Sequence, residues 1–586
     1  MKQIKTTIAL LFLAGSLFSQ THNEQVTVIA RYQPTLMGEA FKINVSPETI
    51  DSVLRPREMR FDIFSRKVVT TFGTENIRPA RVAGEPLSKL SPLYIRGGFG
   101  NYNTGYGELF YGSGRSKQWE YGAHLKHRSS QGKFKNHDVP FDNSINRINL
   151  FGGYHGKNVL LSADFYYDRQ RFSAYGADTL FLHYDHIYRD TIFMKNKHYK
   201  LVYNNIGGNI GFSDNNTKPN SFGYSGNLNI NYFHSVFSDI GNNEFSLYFT
   251  GNIHQTFDLR HPIFNQTILG LDVAADWHNV NLNPRMLKFH PHGKLRFSGH
   301  DFSLGLRVNT FGEPDYSARK IKAAAQWVPT VHAKFNLIDN LFAIEFGMDG
   351  DAQYMTSKKI TQANPFAPWE IFSIFDDPQF HREYYLGLNT QLSKTFDFAM
   401  KGKITQYKNL LNYDAPTWFF YGFISPPWWS HVSPFFGRTY QDINLFQLQA
   451  DLNYHLNERI SVSTMFRFNH FDDEILYKPK YEANLTARYN IQDKIILKTQ
   501  LYFNAETYYR IPFYWVPWSS YYPGTGTPPL EKFKPVVDWS LGAEYRFNRR
   551  WSAFLEFNNI LNQRYYHWHN YRSFGTNFLL GATFNL

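Results

Sequence analysis

The 586-residue chain contains no cysteine. This absence excludes a disulfide scaffold, a thiolate metal site, a cysteine nucleophile and a lipid anchor on a lipobox cysteine. The sequence also lacks the G-x-S-x-G and H-E-x-x-H motifs and any phosphate-binding loop. We therefore expect that the protein is not an enzyme and that it carries no cofactor.

Long hydrophobic runs are almost absent as well. The one clear run, residues 8–14, follows Lys2 and Lys5 and is too short to cross a membrane as a helix. A basic segment followed by a short apolar segment is typical of an export signal. We assign residues 1–19 to a cleaved signal peptide and expect no helix to anchor the mature chain.

Aromatic side chains are abundant, at 18% of the chain, although the mean hydropathy is only −0.44. This combination fits a membrane β-barrel, in which aromatic girdles flank a lipid-facing band while the lumen and loops stay polar. The net charge of +12 is not accompanied by a nucleic-acid-binding motif, so we expect no nucleic-acid partner. In a barrel, such charge lines the lumen or meets anionic lipid headgroups.

The last ten residues, 577–586, show the pattern that decides the fold class. Phe578, Leu580 and Ala582 alternate with Gly581 and Thr583, which gives one face for lipid and one for water. Strands cross a bilayer only in a closed barrel, because an open edge leaves backbone groups unpaired in hydrocarbon. The sequence therefore predicts an all-β fold, a transmembrane antiparallel β-barrel in the cell outer membrane of a Gram-negative bacterium.

A strand needs about 9–11 residues to cross the membrane, and alternation and turn signals from residue 92 onward predict about 22 strands. Short turns alternate with long connections at 128–142, 168–197, 353–381, 407–441 and 508–533. This asymmetry is typical of periplasmic turns and extracellular loops, although residues 238–286 follow it poorly. We assign 92–586 to the barrel, and 20–91, which prolines interrupt, to a periplasmic or lumen-threaded extension.

The C-terminal region resembles a known family. Residues 551–562, the tyrosines at 565–566, and a closing strand with Gly581 and Phe584 resemble the penultimate strand, last loop and closing strand of the TonB-dependent receptor barrel, of the Bacteroidota type. Gly581, Phe584 and Leu586 also resemble the C-terminal signal that the barrel-assembly machinery reads. Leu586 differs from the usual terminal aromatic residue.

A second resemblance lies near the mature N-terminus. Glu24, Val26, Thr27 and Val28 resemble a TonB box, the strand with which an energiser protein pairs. The family also inserts a globular plug before the barrel, and residues 20–91 are too few for one. The resemblance therefore covers 92–586 and implies a receptor-like barrel without the plug.

A basic inner wall is predicted by alternation on two neighbouring strands. The side chains expected to face the lumen are Lys288, His290, His292, Lys294, Arg296 and Arg307. Such a wall attracts anions. Two alternatives stay open: inward-facing Glu345, Asp349 and Asp351 neutralise it across strands, or it anchors the N-terminal segment in the lumen.

Aromatic, proline-rich segments occupy the long connections. They contain Trp418, Trp428, Trp429, Trp515 and Trp518. Exposed aromatic patches usually mark a ligand or protein partner. Alternatively, the rings pack on one another and close the barrel mouth, or they dip into the headgroup region.

Histidine pairs at i, i+2 place both rings on one face of a strand, as at His290 and His292. A metal centre needs at least a third ligand, and the sequence shows none nearby. We therefore expect no metal site.

Two functions stay open at this stage. The barrel is a receptor or channel for a solute or polymer, or it is a non-conducting structural subunit of an outer-membrane assembly, secretion or surface-transport complex. The implied partners are outer-membrane lipid and the barrel-assembly machinery, with a TonB-type energiser, a surface lipoprotein or other complex subunits as further candidates.

Overall fold

A computed structural model describes most of the predicted barrel. The described residues are 91–114, 116–134, 140–176, 200–215, 220–237, 240–259, 264–279, 285–315, 320–338, 341–367, 378–393, 395–414, 436–456, 459–510 and 530–586. The predicted signal peptide and all but residue 91 of the predicted extension lie outside these ranges.

Strands dominate the described residues. In chain order they are β1 (Leu93–Gly100), β2 (Thr104–Gly112), β3 (Trp119–Gly132), β4 (Phe141–His155), β5 (Val159–Ser173), β6 (Lys200–Asp214), β7 (Phe222–Phe237), β8 (Ile240–Asp258), β9 (Phe264–Asn279), β10 (Arg285–Phe297), β11 (His300–Asp315), β12 (Lys320–Ile338), β13 (Phe342–Gln353), β14 (Gln379–Ser393), β15 (Phe396–Asp414), β16 (Gly437–Leu456), β17 (Ile460–Phe471), β18 (Tyr481–Ile491), β19 (Ile495–Ala505), β20 (Tyr508–Arg510), β21 (Leu530–Lys532), β22 (Val536–Arg546), β23 (Trp551–Asn558), β24 (Tyr566–Trp568), β25 (Tyr571–Arg572) and β26 (Asn577–Asn585). Among the described residues there is one helix, α1 (Ser357–Ala363), which follows β13.

Twenty-two of these strands form one sheet, and β20–β21 and β24–β25 form two small separate hairpins. The sheet closes on itself because β1 pairs antiparallel with β26, with Tyr94 opposite Asn585 and Gly100 opposite Leu579. The predicted antiparallel barrel of about 22 strands is confirmed. No helix among the described residues is long and apolar enough to cross a bilayer.

The two faces of the sheet differ as the alternation predicts. On β26, Phe578 and Leu580 are 42% and 56% exposed, whereas the intervening Leu579 and the later Thr583 are 9% and 3% exposed. Large apolar side chains on the outside of a closed barrel form its lipid-facing belt. The inward face carries the polar and charged side chains described below.

The two ends of the barrel carry different connections. Short turns, such as 298–299 after β10 and 547–550 after β22, lie at one end. The start of β1 and the end of β26 lie at the same end. The strands that flank the long connections meet at the other end, which we call the mouth end; these connections are 174–199, 354–378, 415–436, 506–535 and 559–576. Residues 238–286 fit the rule poorly because β7 ends at Phe237 and β8 begins at Ile240, and both of these strand ends lie at the mouth end.

The β13–β14 hairpin departs from the barrel wall. Strand β12 pairs with β13 only from Ile338 opposite Phe342 to Val331 opposite Met348. Beyond that point Asp349–Gln353 still pair with β14, but the side chains of Asp351 and Asp349 contact β10 and β11. The mouth-end part of the hairpin therefore turns into the lumen and carries the following connection inward.

Candidate functional site

The helix α1 lies in the connection that follows β13. The hydroxyl of Thr356 caps its first turn by accepting the Lys359 backbone N–H at 3.3 Å. At the other end the Asn364 side chain accepts the Phe366 N–H at 2.9 Å, and Pro365 cannot continue the helix. The cap and the proline limit α1 to two turns.

Contacts on both sides hold α1 across the lumen. The Tyr413 hydroxyl on β15 donates to the Ile360 carbonyl at 3.0 Å, and the Tyr203 hydroxyl on β6 donates to the Pro365 carbonyl at 2.7 Å. Lys358 lies 5.6 Å from the ring of Tyr166 on β5. Since β5 and β6 lie far around the barrel from β15, the helix bridges the lumen rather than lining one wall.

A buried apolar cluster packs around α1 at the mouth end, and we call it the mouth cap. Its members are Phe134, Phe141, Ala174, Tyr175, Leu201, Tyr203, Phe233, Ile360, Phe366, Ala367, Leu411, Tyr413, Phe436 and Tyr571. They come from strands β4, β6, β7 and β15 and from the connections that follow β3, β5, β13, β15 and β23. The mouth cap therefore draws the described connections together over the lumen.

Two rings form the centre of the mouth cap. Phe366 stacks on Tyr571 with ring centroids 3.5 Å apart, and Tyr571 is only 3% exposed. The Tyr175 hydroxyl donates to the Arg572 carbonyl at 2.9 Å, which fastens the connection after β5 to the hairpin β24–β25. The sequence predicts aromatic side chains in the long connections, but it does not predict that Phe366 stacks on Tyr571.

Burial shifts the titration of groups in the connections. It lowers the pKa of the Lys358 and Lys359 ammonium groups on α1. Nearby carboxylates such as Glu244 partly offset this decrease. Burial also lowers the pKa of His567 in the hairpin β24–β25, against the attraction of Asp538. Both effects disfavour extra positive charge beneath the mouth cap.

The predicted basic wall lies on β10 and β11, where several of its charges are paired. The Lys288 Nζ lies 2.8 Å from the Asp351 carboxylate and donates to the Ala352 carbonyl at 2.7 Å. The Arg307 Nη1 lies 2.8 Å from Asp349 and also donates to the Gly350 carbonyl. These pairs join the inward-turned β13 to the wall, so the lumen surface is less basic than the sequence alone suggests.

The other basic residues of the wall lie toward the short-turn end. Lys294 and Arg296 line a cleft of about 430 Å³, together with His332 and Glu345. The Arg296 Nε pairs with Asp301 at 2.8 Å. This end of the lumen is lined by charges of both signs.

His290 and His292 lie side by side on β10, with ring centroids 5.1 Å apart. A carboxylate that the sequence did not predict lies beside the two imidazole rings. Asp272 on β9 places its Oδ2 3.1 Å from His290 Nδ1 and 3.2 Å from His292 Nδ1. The sequence does not reveal that Asp272 approaches the two histidines, because this contact depends on the register between β9 and β10.

The remaining predicted residues fall into two groups. The first lies outside the described residues; it comprises Glu24, Val26, Thr27, Val28, Trp418, Trp428, Trp429, Trp515 and Trp518. The second lies on or just after β26, at the closing seam. There Phe584 packs on Trp551 at 4.8 Å, and the Leu586 N–H donates to the Leu93 carbonyl at 3.0 Å.

The structure explains why residue 581, at this seam, is a glycine. A Cβ at Gly581 would collide with the Gly97 carbonyl on β1 and with the ring of Phe554 on β23. Glycine thus permits the close approach of the closing strand to its neighbours. The role of these residues as an assembly signal stays a prediction.

No protein-family model and no characterised protein matches the sequence. Solved structures do match it. The ferripyoverdine receptor of the outer membrane of Pseudomonas aeruginosa matches with a TM-score of 0.57 and 10% identity, over 85% of this chain and 72% of that chain. The siderophore receptor PirA from Acinetobacter baumannii matches at 0.59 and 10%, over 84% and 80%. The copper transporter OprC matches at 0.57 and 12%, over 85% and 81%.

Identities of this size show the fold and nothing finer. The resemblance to the TonB-dependent receptor barrel is confirmed at that level, and the apolar belt fits the predicted outer-membrane location. The chain is a closed 22-stranded antiparallel barrel with the fold of outer-membrane receptors.

Proposed function

We propose that the protein is an outer-membrane receptor or channel that admits a solute or polymer through its lumen. The observation that carries this proposal is the mouth cap, a buried cluster in which connections such as the one after β13 pack against strand ends at one end of a wide barrel. A barrel of 22 strands leaves a lumen that leaks unless something fills it. A cap made from connections closes such a lumen and can still move, because connections are less constrained than strands.

The lumen wall supports passage of a polar ligand. Its described inward face carries ion pairs such as Lys288–Asp351 and a cleft lined by Lys294 and Glu345. Charges of both signs attract polar groups without selecting strongly for one sign. We infer no catalytic role, since the fold neighbours named above are receptors and a transporter.

We further infer that residues 20–91 form a periplasmic or lumen-threaded extension that a TonB-type energiser engages. The support is the sequence of Glu24, Val26, Thr27 and Val28, whose β-branched residues favour pairing with a strand of a partner. If this extension also fills the lumen, deletion of residues 24–90 raises single-channel conductance in a planar bilayer. Unchanged conductance would place the extension outside the lumen.

Binding of the energiser tests the proposal directly. The full-length barrel in detergent is immobilised and exposed to the periplasmic domain of the TonB-type protein of the same cell. We expect binding by the wild type and loss of binding by Val26→Pro, because proline removes a backbone N–H needed for strand pairing. Val26→Ala keeps that N–H and serves as the matched control, which should still bind.

Absence of binding by the wild type would contradict energised uptake. Equal binding by Val26→Pro and Val26→Ala would place the docking segment elsewhere.

The alternative, a non-conducting subunit of a complex, predicts a different outcome. A partner then copurifies in constant ratio from mild detergent, and the aromatic loops are its docking surface. Joint alanine substitution of Trp428, Trp429, Trp515 and Trp518 would release that partner, since such anchors each cost about 2 kcal/mol or more on truncation. In the receptor proposal the same variant leaves copurification unchanged and weakens ligand binding.

A further inference from the structure

Three metal-ligand side chains converge on the lumen wall between β9 and β10. Asp272, His290 and His292 each offer one ligand atom, and the three atoms lie within 4.8 Å of one another. They come from two neighbouring strands, so the barrel itself fixes their spacing. The question is whether this group is built to bind an ion or is only a hydrogen-bonded cluster.

The strand register explains why the three meet. His290 lies directly opposite Asp272 on β9, and the i, i+2 spacing puts His292 on the same lumen face. His292 lies opposite a glycine on both neighbouring strands, Gly270 on β9 and Gly305 on β11.

These glycines make room for the imidazole rings. A Cβ at Gly270 would lie 2.7 Å from His292 Nε2, and a Cβ at Gly305 would lie 2.7 Å from His290 Nε2. Any larger residue at either position would push a ring away from Asp272. The two rings consequently lie nearly parallel, at 28°.

The two distances from the carboxylate to the imidazole nitrogens suit a tetrahedral ion. With bonds of about 2.0–2.1 Å, two ligands of a tetrahedral Zn²⁺ lie about 3.3 Å apart. The Asp272 Oδ2 lies 3.1 Å from His290 Nδ1 and 3.2 Å from His292 Nδ1. Two imidazoles and a carboxylate also form a donor set that Zn²⁺ and similar divalent ions prefer over Mg²⁺ or Ca²⁺.

Outer partners hold the ligands in place. Thr330 Oγ1 lies 2.8 Å from His290 Nε2, so an Nε2–H can donate there while Nδ1 faces the ion. The Asn252 amide donates to Asp272 Oδ1, which leaves Oδ2 for the ion. Metal-binding histidines and carboxylates usually have such supports.

Access and local charge also favour binding. The Asp272 side chain is 44% exposed to the lumen, whereas the His292 side chain is 7% exposed. An ion therefore approaches along the carboxylate. Two cations of the same wall, Lys288 and Arg307, are engaged by Asp351 and Asp349 rather than by Asp272.

We propose that Asp272, His290 and His292 bind a divalent metal ion of the Zn²⁺ class on the lumen wall, with the fourth position open to water or to a passing ligand. One hydrogen bond is lost when the ion binds, because His292 Nδ1 also lies 3.2 Å from the His290 carbonyl oxygen. A proton on His292 Nδ1 is released at that step. The proposal does not rest on the receptor function, because it concerns the isolated barrel.

Metal titration of the purified, tag-free, full-length barrel tests the site. Zn²⁺ binding is followed by calorimetry, and Co²⁺ is used as a coloured probe because its visible absorption reports tetrahedral coordination. We expect one tight Zn²⁺ per chain, and affinity reduced by roughly 100-fold or more in His290→Gln and in His292→Gln. Asp272→Asn should weaken binding as well, since it removes the one negative ligand.

His124→Gln is the matched control. His124 also faces the lumen and lies 2.9 Å from a carboxylate, Glu108, but it is not part of the cluster. Its variant should bind Zn²⁺ like the wild type. Heat modifiability on gels confirms that each variant is folded before titration.

Two results would overturn the proposal. One is a wild-type barrel that binds no Zn²⁺ and gives no tetrahedral Co²⁺ spectrum. The other is binding that survives both His290→Gln and His292→Gln, which would assign the ion to other residues and leave this group a hydrogen-bonded cluster.

Discussion

Two substitutions on β22 test which side chains of the barrel face lipid and which face the lumen. This strand has 11 residues, Val536–Arg546, about the number that crosses the hydrocarbon once when tilted. Leu541 is its central residue, is 40% exposed on the outer face and lies opposite Phe557 of β23 in the lipid-facing belt. The neighbouring Ser540 points into the lumen, opposite Gln500.

The two positions should respond very differently to arginine. Leu541→Arg places a guanidinium near the bilayer midplane, at a cost of about 2–4 kcal/mol. That cost corresponds to a decrease of about 30-fold to 900-fold in the folding equilibrium constant. Ser540→Arg places the same group in the polar lumen, where water and side chains solvate it, and we expect a loss below about 1 kcal/mol.

Unfolding in urea, with the barrel inserted in phosphatidylcholine vesicles, measures both variants. Tryptophan fluorescence and gel mobility should report the same transition if unfolding is two-state. Equal losses for the two variants would refute the assignment of faces. A larger loss for Ser540→Arg would reverse it.

Three further predictions concern the lumen and the mouth cap. Tyr571→Ala removes the ring that stacks on Phe366, so the mouth cap should lose about 3–5 kcal/mol and single-channel conductance in a planar bilayer should rise; unchanged conductance would contradict a closing role. Lys288→Met leaves the Asp351 carboxylate without its ammonium partner and should destabilise the barrel by about 1–3 kcal/mol in thermal unfolding, whereas an unchanged melting temperature would mean that the pair contributes nothing. Burial holds the pKa of His567 below its ordinary 6.5. The opened mouth cap therefore binds more protons than the closed one, and the closed form becomes less stable as the pH falls below about 6.5. Proteolysis of the connections should accelerate below that pH in the wild type but not in His567→Gln.

The fold was largely predictable from the sequence because alternation has a physical cause. Lipid outside and water inside force a period of two, and residues 577–586 display it without any knowledge of partners. The strand number could be predicted because turn signals separate the alternating segments. Over 238–286 the prediction was weak, because the tight connection between β7 and β8 lies at the mouth end and looks like a turn of the opposite end.

The lumen was harder to predict because its contacts join distant parts of the chain. The inward turn of β13, the helix α1 and the stacking of Phe366 on Tyr571 involve residues separated by up to about 200 positions, and no local pattern encodes them. Asp272 was missed for a related reason. Its meeting with His290 depends on the register of β9 and β10, which lies in and beside the region where turns were least clear.

The central claim is that the protein spans the outer membrane as a barrel with its mouth end facing the cell exterior. Because the chain has no native cysteine, introduced thiols can measure this orientation directly. Asp473→Cys introduces a thiol in the β17–β18 connection at the mouth end, and Arg549→Cys introduces one in the turn between β22 and β23 at the other end. A membrane-impermeant maleimide should label Asp473→Cys on intact cells and Arg549→Cys only after the outer membrane is permeabilised. Labelling of Arg549→Cys on intact cells, with Asp473→Cys protected, would contradict the account.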